Sequence, residues 1–210
     1  MKKSLLTLIV LLAAAATSWA QFGASVVFAA PMGDYGNKDV ARSGYGAGFG
    51  MGLGLEYTFT TGSFIKPVVG CDMMANITRK SVKDEMVEQM GLNYARGGGY
   101  SSIGLNAGAK LVHELEGYGT YVYFDIRGLY GYNRPGNWKY EYKVGGTQTT
   151  EFKGYLRPGY MLGLGFGFRD VSVSLSYINN GSIPYTVKGE SDDGSRYTPM
   201  NIALTITYIL

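Results

Sequence analysis

The sequence has 210 residues, 46% of them hydrophobic, 17% charged and 14% aromatic, with a formal charge of +3. That mix excludes a disordered chain, and the charge is too weak to suggest a nucleic-acid binder. One Cys and one His exclude a disulfide framework, a zinc cage and a His-rich metal site.

Met1-Lys2-Lys3 is a short basic start, Leu5 to Ala16 an apolar stretch, and Thr17-Ser18-Trp19-Ala20 places small residues at Ser18 and Ala20. This is the three-part pattern of a secretory signal. It predicts cleavage after Ala20, with residues 21–210 as one domain. The apolar stretch is short for a spanning helix, and no other apolar run reaches the ~18 residues that one needs.

The rest reads as alternating strands. Phe22 to Ala30 puts Phe22, Ala24, Val26 and Phe28 on one face. Ser43 to Thr60 alternates without a break, with Tyr45, Ala47, Phe49, Met51, Leu53, Leu55, Tyr57 and Phe59 on odd positions and glycines and Glu56 on even ones. A period of two sends these sets to opposite faces, and the run is long enough for the ~9–11 residues of a tilted membrane strand. Further strands follow at Ile65 to Ile77, Ile103 to His113, Thr120 to Tyr132, Leu156 to Phe168, Val171 to Tyr177 and Met200 to Leu210, eight in all. The fold expected is all-β: an eight-stranded antiparallel up-and-down transmembrane barrel.

Short connections at Thr61-Gly62, Glu114 to Gly119 and Arg169-Asp170 alternate with four longer ones. That pattern predicts periplasmic turns and extracellular loops. The polar-side set is Gly, Ser, Asn and Thr, poor for a wet exterior, and the apolar set is too bulky for a narrow lumen. The apolar face is therefore expected outside. Phe22, Tyr57, Phe59, Phe166, Phe168 and Tyr208 would form the periplasmic aromatic girdle, and Tyr45, Tyr130, Tyr132 and Tyr177 the outer one. Around Arg169-Asp170 the register predicts Phe168 opposite Val171 and Gly165 opposite Ser174. A turn at Gly145-Gly146 would mismatch the faces of the fifth and sixth strands, so a bulge or longer loop is expected between Val144 and Leu156. Pro67 and Pro158 predict local irregularity.

The signal at Met1 to Ala20, the first strand running into Pro31-Met32-Gly33-Asp34-Tyr35, and the terminal Asn201 to Leu210 together resemble the small, porin-like outer-membrane β-barrel family common among Bacteroidetes-type bacteria. The chain departs from it in ending on Leu210 where an aromatic is usual. The resemblance implies residence in the cell outer membrane among outer-membrane lipid and lipopolysaccharide, and recognition of the C-terminal strand by the barrel-insertion machinery. It carries no catalytic motif, and fold does not deliver function.

Two places can carry function. In the lumen, Glu56, Lys66, Asp72, Lys110, Asp125 and Arg127 are expected to pair, Glu56 near Lys66 and Lys110 near Asp125. They would fill the space opposite Gly163, Gly165, Ser174 and Ser176 as a plug, or line a narrow passive or gated channel for small solutes. Outside, Ser81 to Met90 reads as a short helix capped by Ser81, with Val82, Met86, Val87 and Met90 in one stripe. Trp138, Tyr140 and Tyr142 alternate with charges, which suits a hairpin above the membrane that binds a surface protein or glycan. His113 reads as a solvated turn residue, Cys71 as lipid-facing packing and Asp192-Asp193-Gly194 as a plain turn. No catalytic residue, cofactor, metal or nucleic-acid partner is expected. The leading role is structural or interactive at the cell surface. A channel comes second, and a secretion-associated barrel of the PorT-like type third.

Overall fold

A computed structural model describes residues 20–37, 45–61, 63–115, 119–192 and 194–210. In chain order its elements are β1 (Ala20–Pro31), α1 (Gly33–Gly36), β2 (Ala47–Phe59), β3 (Ile65–Thr78), α2 (Lys80–Gln89), β4 (Leu92–Gly97), β5 (Tyr100–Glu114) and β6 (Thr120–Pro135). There follow β7 (Trp138–Tyr142), β8 (Gly146–Thr150), β9 (Tyr155–Phe168), β10 (Val171–Asn179), β11 (Ile183–Pro184), β12 (Arg196–Tyr197) and β13 (Met200–Ile209). Eight strands close an antiparallel barrel in the order β1-β2-β3-β5-β6-β9-β10-β13 and back to β1. The other strands lie in the long connections, as a three-stranded sheet β4-β7-β8 and a two-stranded β11-β12 pair. The expected signal at residues 1–20 lies almost wholly outside the described residues, as do Ser43, Gly44, Gly62, the middle of the Glu114 to Gly119 turn and Asp193.

Alternation sorts the barrel wall. Leu53, Ile103, Leu105, Leu164 and Leu175 are exposed on the outside, Leu105 to 67% and Leu164 to 66%. Ala29, Ala203 and Asn201 on the other face are fully buried. So broad an apolar exterior has no place in water and matches a bilayer. Cys71 lies on this outer face. Tyr130 and Tyr132 are exposed near the outer rim. Tyr45, expected in the same girdle, and Ala47, expected on the same outer face, turn instead into a cluster over the lumen, because the chain reaches β2 through Gly46 with φ +61° and the β2–β3 register shifts between Ala47 and Gly50.

The ladders carry the predicted register at Arg169-Asp170: Phe168 opposes Val171, and Gly165 opposes Ser174. Between β6 and β9 the mismatch disappears because the turn sits elsewhere. Tyr132 opposes Leu156, and above it Tyr142 opposes Gly146. The turn is thus Lys143-Val144-Gly145, and an odd number of turn residues keeps like faces opposed. The chain then leaves the ladder over residues 151–154, where Phe152 bridges to Val187, so the longer loop is present and the barrel ladder needs no bulge.

The prolines do not disturb the barrel. Pro67 opposes Ala109 and Pro158 opposes Tyr130 with the register unbroken on either side. In an antiparallel sheet a residue bonds one neighbour at a time, so each proline loses a single bond and the flanking pairs hold the strand. The register shift that does occur in the barrel lies between Ala47 and Gly50, against β3. Helix α2 begins two residues earlier than the Ser81 cap implied, with Arg79 at the N-cap and no side-chain cap bond.

Leu53→Arg, at the middle of β2 on the outer face, is expected to cost about 2–4 kcal/mol in lipid. Urea unfolding of the protein refolded into vesicles checks this, and an unchanged midpoint would overturn the assignment of faces.

Candidate functional site

Inside the barrel a side-chain network crosses four strands. Glu56 on β2 stands opposite Gly70 on β3. With no side chain there, its carboxylate reaches across to β5 and β6. Glu56 Oε1 accepts a hydrogen bond from Lys110 Nζ, and Oε2 accepts one from Arg127 Nη2 at 2.6 Å. The Arg127 guanidinium also grips Asp125, with Nε 2.9 Å from Oδ1 and Nη2 2.5 Å from Oδ2. Its Nη1 donates to Asn106 Oδ1 at 3.1 Å, and Asn106 Nδ2 donates to Asp72 Oδ2 at 2.6 Å. Lys110, Asp125 and Arg127 are all buried. Charged groups out of water persist only when paired and hydrogen-bonded, and here two carboxylates meet two cations with Asp72 attached through a neutral amide.

Five of the six expected lumen residues therefore come together. Lys66 does not. It lies directly opposite Lys110 in the β3–β5 ladder, and like charges there repel. Lys110 takes Glu56, and Lys66 turns to Glu114 at the periplasmic end, 3.6 Å away. The expected Glu56–Lys66 pair is replaced by Glu56–Lys110. Lys110 and Asp125 are cross-strand partners as expected, although their closest bonds go elsewhere.

Beside the network, the long residues of β6 face the small ones of β9 and β10. A Cβ at Gly165 would fall 2.2 Å from the Tyr123 ring, and one at Gly167 2.1 Å from the Tyr121 ring. The tyrosines occupy the space those glycines leave. Lys110 Nζ lies 5.1 Å from the Tyr123 ring centroid, a cation–π distance. What remains is a cavity of about 60 Å³ lined by Ser25, Asp72, Asn106, Ser174, Ser176 and Thr205 among others, room for a few waters.

A second layer, unforeseen in the sequence, covers the outer mouth. Tyr35 from α1, Tyr45, Tyr100 from β5, and Tyr185 and Tyr197 from the last long connection pack together with Ile183 and Ala47. Ring centroids lie 4.9 Å apart for Tyr35–Tyr100 and 5.4 Å for Tyr45–Tyr197. Polar ends are tied down. Tyr45 Oη donates to Arg196 O, Tyr100 Oη to Tyr45 O at 2.5 Å, and Tyr35 Oη to Asn76 Oδ1 at 3.1 Å. Asn76 Nδ2 in turn reaches Asn201 Oδ1 at 3.2 Å, so a polar strap crosses the lumen beneath the rings. Burial pushes the phenols of Tyr35, Tyr185 and Tyr197 above their ordinary value, and neutral rings are what this packing requires. The Tyr35, Tyr185 and Tyr197 positions lacked any alternation signal; only the abundance of Tyr in the loops hinted at them.

The three-stranded outer sheet buries one face. Trp138 and Tyr140 pack on Leu92, Ala95 and Phe152, with Met86, Val87 and Tyr142 partly buried against them. Leu92 and Ala95, three apart, share that face because the β4–β7 register shifts between Leu92 and Tyr94. Trp138 and Tyr140, expected as surface contacts, are thus core residues of the sheet, and Tyr142 is tied to Gln148 by a 2.9 Å hydrogen bond. Met86 is half-buried, while Met90 is exposed. His113 is exposed at the periplasmic end of β5. Asp192 accepts the Gly194 N–H and pairs with Arg196 at 3.1 Å, which accounts for it as a turn residue.

Neither a family profile nor a curated protein matches the chain. Among solved structures it is similar to a major outer membrane protein from Thermus thermophilus, with 11% identity, a TM-score of 0.51, and 91% of this chain and 99% of that one covered. It also resembles Ail, the attachment invasion locus protein of Yersinia pestis, solved with the heparin analogue sucrose octasulfate (14% identity, TM-score 0.46, 91% and 97% covered). Neisserial surface protein A is similar at 10% identity and a TM-score of 0.42, with 90% and 95% covered. The likeness to the Thermus protein shows the fold, the small eight-stranded barrel of outer-membrane proteins.

Glu56→Ala is expected to destabilise the barrel by about 3–5 kcal/mol, because Lys110 and Arg127 stay buried without their shared carboxylate. Adding Lys110→Met should restore part of the loss; urea unfolding of both variants in vesicles measures the coupling. For the tyrosine layer, phenols raised in the folded state favour folding fully below their unfolded value near pH ~10. That contribution fades as pH rises through the folded values. The layer is expected to open on the alkaline side and not the acid side. Absorbance at the phenolate band, followed with hydrogen exchange of the Tyr185 and Tyr197 segments, reads this out.

Proposed function

We propose that this protein is an integral outer-membrane barrel with a closed lumen, which works through its extracellular face and has no catalytic role. In this reading Met1 to Ala20 directs export and the terminal strand directs insertion. The observation that supports the proposal is two packed side-chain layers in series, which we read as seals. The Glu56–Lys110–Arg127–Asp125 network fills the barrel at mid-height, and the tyrosine layer covers the outer mouth. The cavity beside the first of them, about 60 Å³, has room for a few waters. The structured part of the long connections, the β4-β7-β8 sheet with α2, then offers the surface on which a structural or interactive role would rest.

One observation favours a gated channel as the second reading. The mid-lumen seal is made of ion pairs and hydrogen bonds between side chains, and the opposite wall is lined by the small residues Gly163, Gly165, Ser174 and Ser176. If the side chains swung aside, a narrow polar path would open.

Single-channel recording in a planar bilayer separates the two. The wild type and Arg127→Ala are both expected to be silent, since the tyrosine layer remains. Arg127→Ala combined with Tyr100→Ala and Tyr197→Ala is expected to conduct. Steady current in the wild type would overturn the closed-lumen reading, and current in Arg127→Ala alone would favour the gate.

A further inference from the structure

The exposed face of the outer sheet carries side chains in two rows. Tyr94, Glu141 and Thr147 oppose one another in one row, and Arg96, Lys139 and Thr149 in the next. All six are exposed. Like charges directly opposite on a sheet destabilise it, yet Arg96 faces Lys139. Among the described residues neither cation forms an ion pair with a carboxylate, while Lys66, Lys110, Arg127, Lys188 and Arg196 each do. Glu141, on the same face, stands opposite Tyr94 and Thr147. A third cation lies below them. Arg134, near the end of β6, donates to Phe152 O at 3.2 Å and Asn137 Oδ1 at 2.9 Å. Glu151 feels its charge, but that carboxylate is paired with Lys188.

The height and direction of this face are fixed by the fold. Arg96 is four residues before Tyr100, the first of β5, and Lys139 is four after Pro135, the last of β6. Four extended residues span at most about 14 Å, so both cations stand within that distance of the barrel's outer rim. The opposite face of the sheet packs through Tyr185 onto the tyrosine layer over the lumen. The two rows therefore look away from the barrel axis, over the surrounding leaflet.

We infer that Arg96, Lys139 and Arg134 form a binding face for the phosphate groups and acidic sugars of lipopolysaccharide in that leaflet. The inference rests on the outer-membrane placement proposed above. A phosphate or carboxylate seated between Arg96 and Lys139 converts their repulsion into two charge-assisted hydrogen bonds. The Thr147 and Thr149 hydroxyls match sugar hydroxyls, and the Tyr94 ring offers an apolar platform one row away. Lipopolysaccharide is favoured over a soluble polymer because its anions are held at the height of these cations, beside the barrel wall.

The test uses full-length mature protein refolded in neutral detergent and titrated with purified lipopolysaccharide, phosphatidylcholine or dextran sulfate, with thermal unfolding as the readout. Lipopolysaccharide should raise the melting temperature of the wild type, and phosphatidylcholine should not. Lys139→Glu should need at least about tenfold more lipopolysaccharide for the same shift. Without lipopolysaccharide it should melt no lower than the wild type, since it places opposite charges across the strands. Arg96→Gln with Lys139→Gln gives the same decision if Lys139→Glu fails to fold. An unchanged titration in either variant would overturn the proposal, as would a response to dextran sulfate equal to or greater than that to lipopolysaccharide. Insertion of the wild type into vesicles is measured alongside. Normal insertion with no lipopolysaccharide response sinks this face alone, whereas failure to insert sinks the membrane reading beneath it.

Discussion

An eight-stranded barrel has a lumen just wide enough for the side chains that point into it, and everything inside this one follows from how that space is shared. Glu56 reaches across a glycine to bridge Lys110 and Arg127, and Arg127 holds Asp125. No member of the set can be ionised and buried without the others. The long residues come from β5 and β6, and the wall they approach on β9 and β10 is glycine and serine. Volume and charge are balanced by the same division of labour, so the glycine-rich composition and the buried ion pairs are two sides of one solution.

The exterior reverses the usual arrangement of a soluble protein. Leu, Ile, Val, Phe and Tyr cover the outside, and the hydrogen-bonding capacity of the backbone is used up around the closed ladder. Such a wall has no edge to aggregate through. Stability then depends on the ladder, on lipid contact and on the internal network rather than on an apolar core. Apolar clusters do exist in this protein: Val27, Ala29, Met74 and Ala203 pack inside the barrel, and two larger ones form the tyrosine layer and the underside of the outer sheet. These two clusters share Tyr185, which couples the cover of the lumen to the sheet that stands above it.

Much of this was legible beforehand. Strict alternation from Phe49 to Phe59, and again through β9 and β10, identified strands, faces and the register at Arg169-Asp170, because a period of two leaves one choice of face once one side is apolar. What misled was chemistry that depends on a third strand. Glu56 and Lys66 are close through a short turn, but Lys110 on β5 lies across the lumen and outcompetes Lys66. The parity conflict around Gly145-Gly146 vanished with a turn centred on Val144 instead of between the two glycines, a choice the sequence leaves open. Trp138 and Tyr140 looked like surface aromatics because alternation tells which residues share a face, not which face is covered.

The sequence by itself determined the number of barrel strands, their up-and-down order and the outward orientation of the apolar set. These are local matters of period, turn length and residue volume. Only the tertiary structure decided which charges pair in the lumen, that Tyr35, Tyr45, Tyr100, Tyr185 and Tyr197 converge over its mouth, and that Arg96 and Lys139 meet across two strands. Each of those depends on segments far apart in the chain being brought to one height by closure of the barrel, and closure leaves no mark in any single stretch of residues.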